Sequence, residues 1–109
     1  MKLLSRSEEI VLLAIWHLQD NAYGVTIRDK VKKTTGQEWS IGAIYAPLHR
    51  LEKKGLVRTI EGEPVAERGG RRKIYYVVTR EGKQAMVKTK KVHESIWRDA
   101  PELGVGKVG

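Results

Sequence analysis

The sequence has 109 residues, 21 Lys and Arg against 13 Asp and Glu, a formal charge of +8 and no cysteine. A single domain of this size buries roughly two thirds of the surface its unfolded chain exposes, enough for one core without staples, and 40% hydrophobic residues exclude charge-swollen disorder. The lack of cysteine excludes a disulfide scaffold, Cys-ligated zinc and thiol catalysis, and is compatible with a reducing compartment.

The longest apolar run, Ile10 to Trp16, is seven residues, far from the ~20 that span a bilayer. No membrane partner is expected. Two acids, Glu8 and Glu9, precede that run and no small-residue cleavage site follows it, so the chain reads as cytoplasmic. The base is unevenly placed: residues 50 to 98 hold 14 of the 21 basic side chains and 6 of the 13 acidic ones. Such a positive field points to phosphate, in a nucleic acid or at an anionic surface.

In chain order, Ser5-Arg6-Ser7-Glu8 fits a capping box, which predicts a helix from about Glu8 to Gln19. Its residues Ile10 to Trp16 and Leu18 are apolar nearly all round, the mark of a helix covered on several sides. A second helix fits Tyr23 to about Thr34, with Tyr23, Ile27 and Val31 one turn apart and Gly36 as its C-terminal cap. Ser40 suits the N-cap of a third, closed by Gly55, whose inward stripe is Ile41, Ile44, Leu48 and Leu51. Pro47 inside it predicts a kink or a later start.

Leu56–Ile60 and Ile74–Thr79 are rich in β-branched and aromatic residues and read as a hairpin, with polar, glycine-bearing Glu61 to Lys73 as a long tip. Thr79 then caps a helix from Arg80 to Arg98. Gly82, Ala85, Met86, Thr89, Val92, His93, Ile96 and Trp97 form its stripe. Residues 99 to 109 read as a frayed tail.

The fold class expected is mainly α (α+β): a winged helix-turn-helix over residues 1 to 79 with a two-stranded wing, then a long C-terminal helix over 80 to 98. His17, His49 and His93 fall on separate helices with no metal-ligand spacing and no nucleophile beside them, so neither enzyme, metal nor cofactor is expected. With its stripe inward, the third helix would show Gly42, Ala43, Tyr45, Ala46, His49, Arg50 and Lys53. Such a helix fits the DNA major groove, and a hairpin beside it reaches the backbone. At the hairpin tip Arg68-Gly69-Gly70-Arg71-Arg72-Lys73 places four cations in six residues, suited to following phosphates. The other reading of this basic face is a winged-helix module that docks RNA or protein without regulating transcription; RNA binding would favour exposed aromatics for base stacking.

Four segments carry a family resemblance: Ala22-Tyr23-Gly24-Val25, Gly42 to Val57 with its Arg50-Leu51-Glu52-Lys53-Lys54-Gly55 exit, Gly69 to Tyr76, and Thr79-Arg80-Glu81-Gly82. Over about residues 5 to 98 the chain resembles the PadR family of winged-helix transcriptional regulators, in the short class with one C-terminal helix. The resemblance implies a homodimer that binds double-stranded DNA, usually a repressor, acting on an inverted-repeat operator. By position it makes Tyr45 the recognition-helix tyrosine, Arg50 the basic residue near the helix exit, and Arg71, Arg72 and Lys73 the basic wing. His49, Lys53 and Arg68 complete the candidate DNA-binding set. One departure is visible: the family often has proline directly after the tyrosine, where this chain has Ala46 and then Pro47.

The C-terminal helix agrees with a dimer, because its apolar stripe spans about 140° at ~100° per residue and little core is left for it to cover. Met86, Thr89, Val92, His93, Ile96 and Trp97 are the candidate interface. The resemblance extends to short multidrug-sensing members of the family, which stack planar ligands on a tryptophan at the dimer seam, and so implies a small planar aromatic ligand there as a partner. That tryptophan lies about one turn nearer the Thr79-x-x-Gly82 motif, where this chain has His93.

Overall fold

The computed structural model describes residues 3 to 64 and 72 to 105. Three helices, α1 (Arg6–Leu18), α2 (Gly24–Thr35) and α3 (Ile41–Lys53), precede two strands, β1 (Val57–Pro64) and β2 (Arg72–Val78), and a long helix, α4 (Arg80–Arg98). This is the expected winged helix-turn-helix with its C-terminal helix.

The capping signals act as the sequence implies. Ser5 Oγ accepts from the Glu8 amide at 3.2 Å, and the Ser5 amide donates to Glu8 Oε1 at 2.9 Å. Ser40 Oγ takes the Ala43 amide at 3.1 Å and Thr79 Oγ1 takes the Gly82 amide at 3.1 Å, starting α3 and α4. Gly36 ends α2 at φ +73°, in the left-handed region that glycine enters without cost.

The core gathers Val11, Leu12 and Ile15 of α1, Ile27 and Val31 of α2, Ile44, Leu48 and Leu51 of α3, and Val57, Tyr76 and Val78 of the wing base. The aliphatic side chains of this set contribute about 1.5 to 3 kcal/mol each by leaving water. The apolar ring of α1 is covered on fewer sides than expected, since Leu13 and Trp16 stay exposed within the chain.

Two expectations for α3 are corrected. Ile41 is 60% exposed rather than inward. It stands in the first turn, about 70° from the centre of the buried stripe at ~100° per residue, and Pro47 takes a buried place instead. Pro47 does not delay the helix, which begins at Ile41 and runs past it. The amide it lacks would have donated to the carbonyl of Ala43, an exposed residue to which water can donate instead.

The wing is longer than the β-rich runs alone. β1 and β2 pair antiparallel from Val57 opposite Val78 to Glu61 opposite Ile74, then, after a register shift, Pro64 opposite Arg72. Arg72 and Lys73, expected on a loose tip, therefore stand on the ladder. The Tyr76 amide also donates to the Ala22 carbonyl at 2.8 Å, tying the chain ahead of α2 to the outer edge of β2. α4 starts against the same base: Thr79 Oγ1 donates to the Gly55 carbonyl at 2.7 Å and the Thr79 amide to the Leu56 carbonyl at 3.0 Å. α4 then lies along α1, with His93 Nε2 3.2 Å from Glu9 Oε1.

Candidate nucleic-acid interface

The corner between α2 and α3 is fixed by polar contacts. Arg28 Nε donates to the Trp39 carbonyl at 3.1 Å, and its Nη2 lies 3.6 Å from a Glu38 carboxylate oxygen. Beyond this corner α3 turns Gly42, Ala43, Tyr45, Ala46, His49, Arg50 and Lys53 to the outside, as its periodicity implies. The Tyr45 ring leans onto the start of α2, where a Cβ on Gly24 would collide with its hydroxyl. A side chain at position 24 would push the exposed Tyr45 ring aside. Beneath this face, burial pushes the Tyr76 phenol above its ordinary value, and neighbouring Tyr45 and Glu52 add to the effect.

Arg50 is held in a way no local pattern shows. Its Nε lies 3.1 Å from Glu8 Oε2, its Nη2 donates to Ser7 Oγ at 3.2 Å, and Lys54 Nζ stands 2.8 Å from the same Glu8 oxygen. The Glu8 side chain is 3% exposed, while Arg50 and Lys54 keep 45% and 43%. Burial alone would raise the Glu8 pKa. The Lys54 ammonium, the Ser5 amide and the Arg50 guanidinium outweigh it and lower the value from 4.5 to about 2. One buried carboxylate of α1 therefore clamps the exit of α3, and sequence spacing assigned Glu8 only its cap.

On the wing, Lys73 Nζ sits 4.3 Å from the centroid of the Tyr23 ring, and Tyr23 meets Tyr75 edge-on with centroids 5.5 Å apart. Arg72 is exposed, with Nη1 donating to the Gly62 carbonyl at 3.4 Å and Nε 4.0 Å from a Glu61 oxygen. Arg68 and Arg71 lie outside the described residues. Contacts thus run from Lys73 through Tyr23 and Gly24 to Tyr45, linking wing, α2 and α3.

Of the six candidate interface residues on α4, Ile96 and Trp97 are exposed and Met86, Val92 and His93 half-buried, while Thr89 is covered within its own chain. Leu13 and Trp16 of α1 join Met86, Val87 and His93 of α4 around a groove of about 500 Å3, rimmed by Glu9, Glu94, Lys83 and Lys90. Among the described residues no group of acids and histidines is arranged to hold a metal ion, and no helix is long and apolar enough to cross a membrane.

A helix-turn-helix with an exposed α3, flanked by a cationic two-stranded wing, defines a winged-helix protein of the DNA-binding class. The profile of the transcriptional regulator PadR-like family matches residues 12–88, and the chain belongs to that family. It is accordingly a transcriptional regulator and not an enzyme. A PadR family transcription regulator from hypervirulent Clostridium difficile superposes at TM-score 0.70 and 26% identity, over 86% of this chain and 93% of that one. A protein from Streptococcus mutans does so at TM-score 0.64 and 26% identity, over 90% and 87%. RosR of H. salinarum shares the fold at TM-score 0.70 and 24% identity, over 90% and 81%. No curated protein matches the sequence.

Proposed function

We propose that the protein is a cytoplasmic repressor that binds an inverted-repeat operator in double-stranded DNA as a homodimer. The observation that carries this reading is the face formed by Tyr45, His49, Arg50 and Lys53 on α3, joined through Gly24 and Tyr23 to Lys73 of the wing, with Arg72 exposed next to it. α3 contacts base edges, and the wing cations, including Arg68 and Arg71, follow phosphates. Tyr45→Ala and Lys53→Ala will each weaken operator binding by about 1 to 3 kcal/mol with the fold intact. Anisotropy at fixed salt checks this, and unchanged affinity in both would move the recognition surface elsewhere.

α4 supplies the two-fold contact, since Val87, Ile96 and Trp97 are more than half exposed and α1 leaves Trp16 uncovered beside Val87. An isologous pairing covers both surfaces at once and sets two α3 helices side by side. Val87→Glu with Ile96→Glu will shift the dimer toward monomer at least tenfold, because two charges would be buried per chain without partners. Both sites are exposed in the protomer, so the variant folds, and sedimentation equilibrium reads the change. A double variant that stays as dimeric as the wild type would remove α4 from the interface.

The seam near His93, Ile96 and Trp97 is also where a planar aromatic ligand would stack. The adjoining α1–α4 groove offers Leu13, Trp16 and Met86 as apolar walls, with Glu9 and Glu94 balanced by Lys83 and Lys90. Saturable quenching of tryptophan fluorescence by planar aromatic cations is the expected response, and none across a varied panel would leave the seam purely structural.

A further inference from the structure

Ile41 is a large apolar side chain, 60% exposed, at the first position of α3. Val25 of α2 is 59% exposed and Tyr45 40%. Together with Gly24, Arg28 and Ile44 they line a notch of about 90 Å3 at the corner where α2 and α3 begin.

The first turn of α3 offers a base no hydrogen-bonding side chain. Ile41 is followed by Gly42 and Ala43, and Ser40, whose Oγ accepts from the Ala43 amide at 3.1 Å, stands at the cap before the turn. Arg28, the cation among the lining residues, is drawn back to the Trp39 carbonyl and Glu38. The surface that Ile41 and Val25 present at this end of α3 is carbon, with the Tyr45 hydroxyl set back against Gly24.

A helix-turn-helix presents the N-terminal residues of its recognition helix to base edges in the major groove. A phosphate against isoleucine and valine would lose water and gain no partner. The apolar group that a base pair displays in that groove is the 5-methyl of thymine. A cytosine in the same place would bring no methyl and would set its amino group against Ile41 and Val25.

We propose that Ile41, with Val25 beside it, packs against the 5-methyl group of a thymine in each half-site and so determines the sequence preference at that base pair. The inference rests on the DNA-binding reading above. It assigns the front of α3 to methyl contact and leaves polar readout to the residues from Tyr45 onward.

The test uses the site enriched from a random duplex pool, with each thymine of the half-site replaced in turn by deoxyuridine, which keeps the base pair and removes only the methyl. Wild-type protein will lose about 3- to 10-fold in affinity per half-site at one thymine. Ile41→Ala will bind the thymine and deoxyuridine forms of that site equally, and Val25→Ala will show a reduced difference. Both residues are exposed, so an unchanged melting midpoint is expected and separates contact from folding. Equal wild-type affinity for every deoxyuridine form, or full methyl discrimination kept by Ile41→Ala, would overturn the assignment. Failure to enrich any site would instead overturn the DNA-binding reading, and the methyl contact with it.

Discussion

Glu8→Gln will destabilise the protein by about 2 kcal/mol at neutral pH. The carboxylate accepts from the Ser5 amide, Arg50 and Lys54 at 2.8 to 3.1 Å while almost wholly buried. A neutral amide keeps the volume but loses both charge-assisted bonds. With the pKa lowered from 4.5 to about 2, and each pKa unit equal to about 1.4 kcal/mol, the upper limit is about 3.5 kcal/mol. Nearly half of Arg50 and Lys54 meets solvent, and screening brings the figure down. Because the folded pKa is depressed, the contribution is fully present above pH 4.5 and drains away as pH falls toward 2, where the folded carboxylate takes up its proton. Denaturant melts of both proteins across this window check it: the stability gap will close as the acid limit is approached. A constant gap would show that Glu8 acts through packing alone.

Gly82→Ala will lower stability by about 2 kcal/mol, or about 10 °C in Tm, although alanine in a helix ordinarily gains about 1 kcal/mol over glycine. The reason is a close approach. A Cβ at Gly82 would strike the Leu56 carbonyl and come within 2.8 Å of Val78 Cγ1. The Leu56 carbonyl belongs to the backbone at the base of the wing and cannot swing aside, so α4 must lift from that base. The internal control is Gly42 in α3, where a Cβ would meet nothing within 4 Å; Gly42→Ala will gain the ordinary helix term. Thermal denaturation of the two variants reads the opposite signs, and a gain at both sites would mean that α4 is not seated tightly on the wing base.

Much of this architecture was legible because its signals are local. Ser5, Ser40 and Thr79 act within three residues of the amides they cap, and Gly36 needs only its own backbone. The outward face of α3 followed from the spacing of Ile44, Leu48 and Leu51. What escaped depends on distance along the chain. Glu8 and Arg50 are 42 residues apart, and nothing in a capping box foretells a second, long-range duty. Gly24 and Gly82 stood out as glycines, but only the fold shows that Tyr45 and the Leu56 backbone are what approach them. Ile41 was misplaced because periodicity gives an angle and not a cover: it sits at the margin of the stripe, in a turn that no other element shields. Arg72 read as a tip residue because its ladder partner, Pro64, has low β-propensity, and Lys73 because it stands at the register shift.

The central claim is that two α3 helices, paired through α4, read duplex DNA, and selection from a random duplex pool by the full-length protein tests it most directly. The prediction is an enriched inverted repeat whose half-sites lie about 10 bp apart centre to centre, or a multiple of that, as two reading heads on one face of the helix require. Enrichment of no sequence, or of a single unrepeated element bound by one chain, would contradict it.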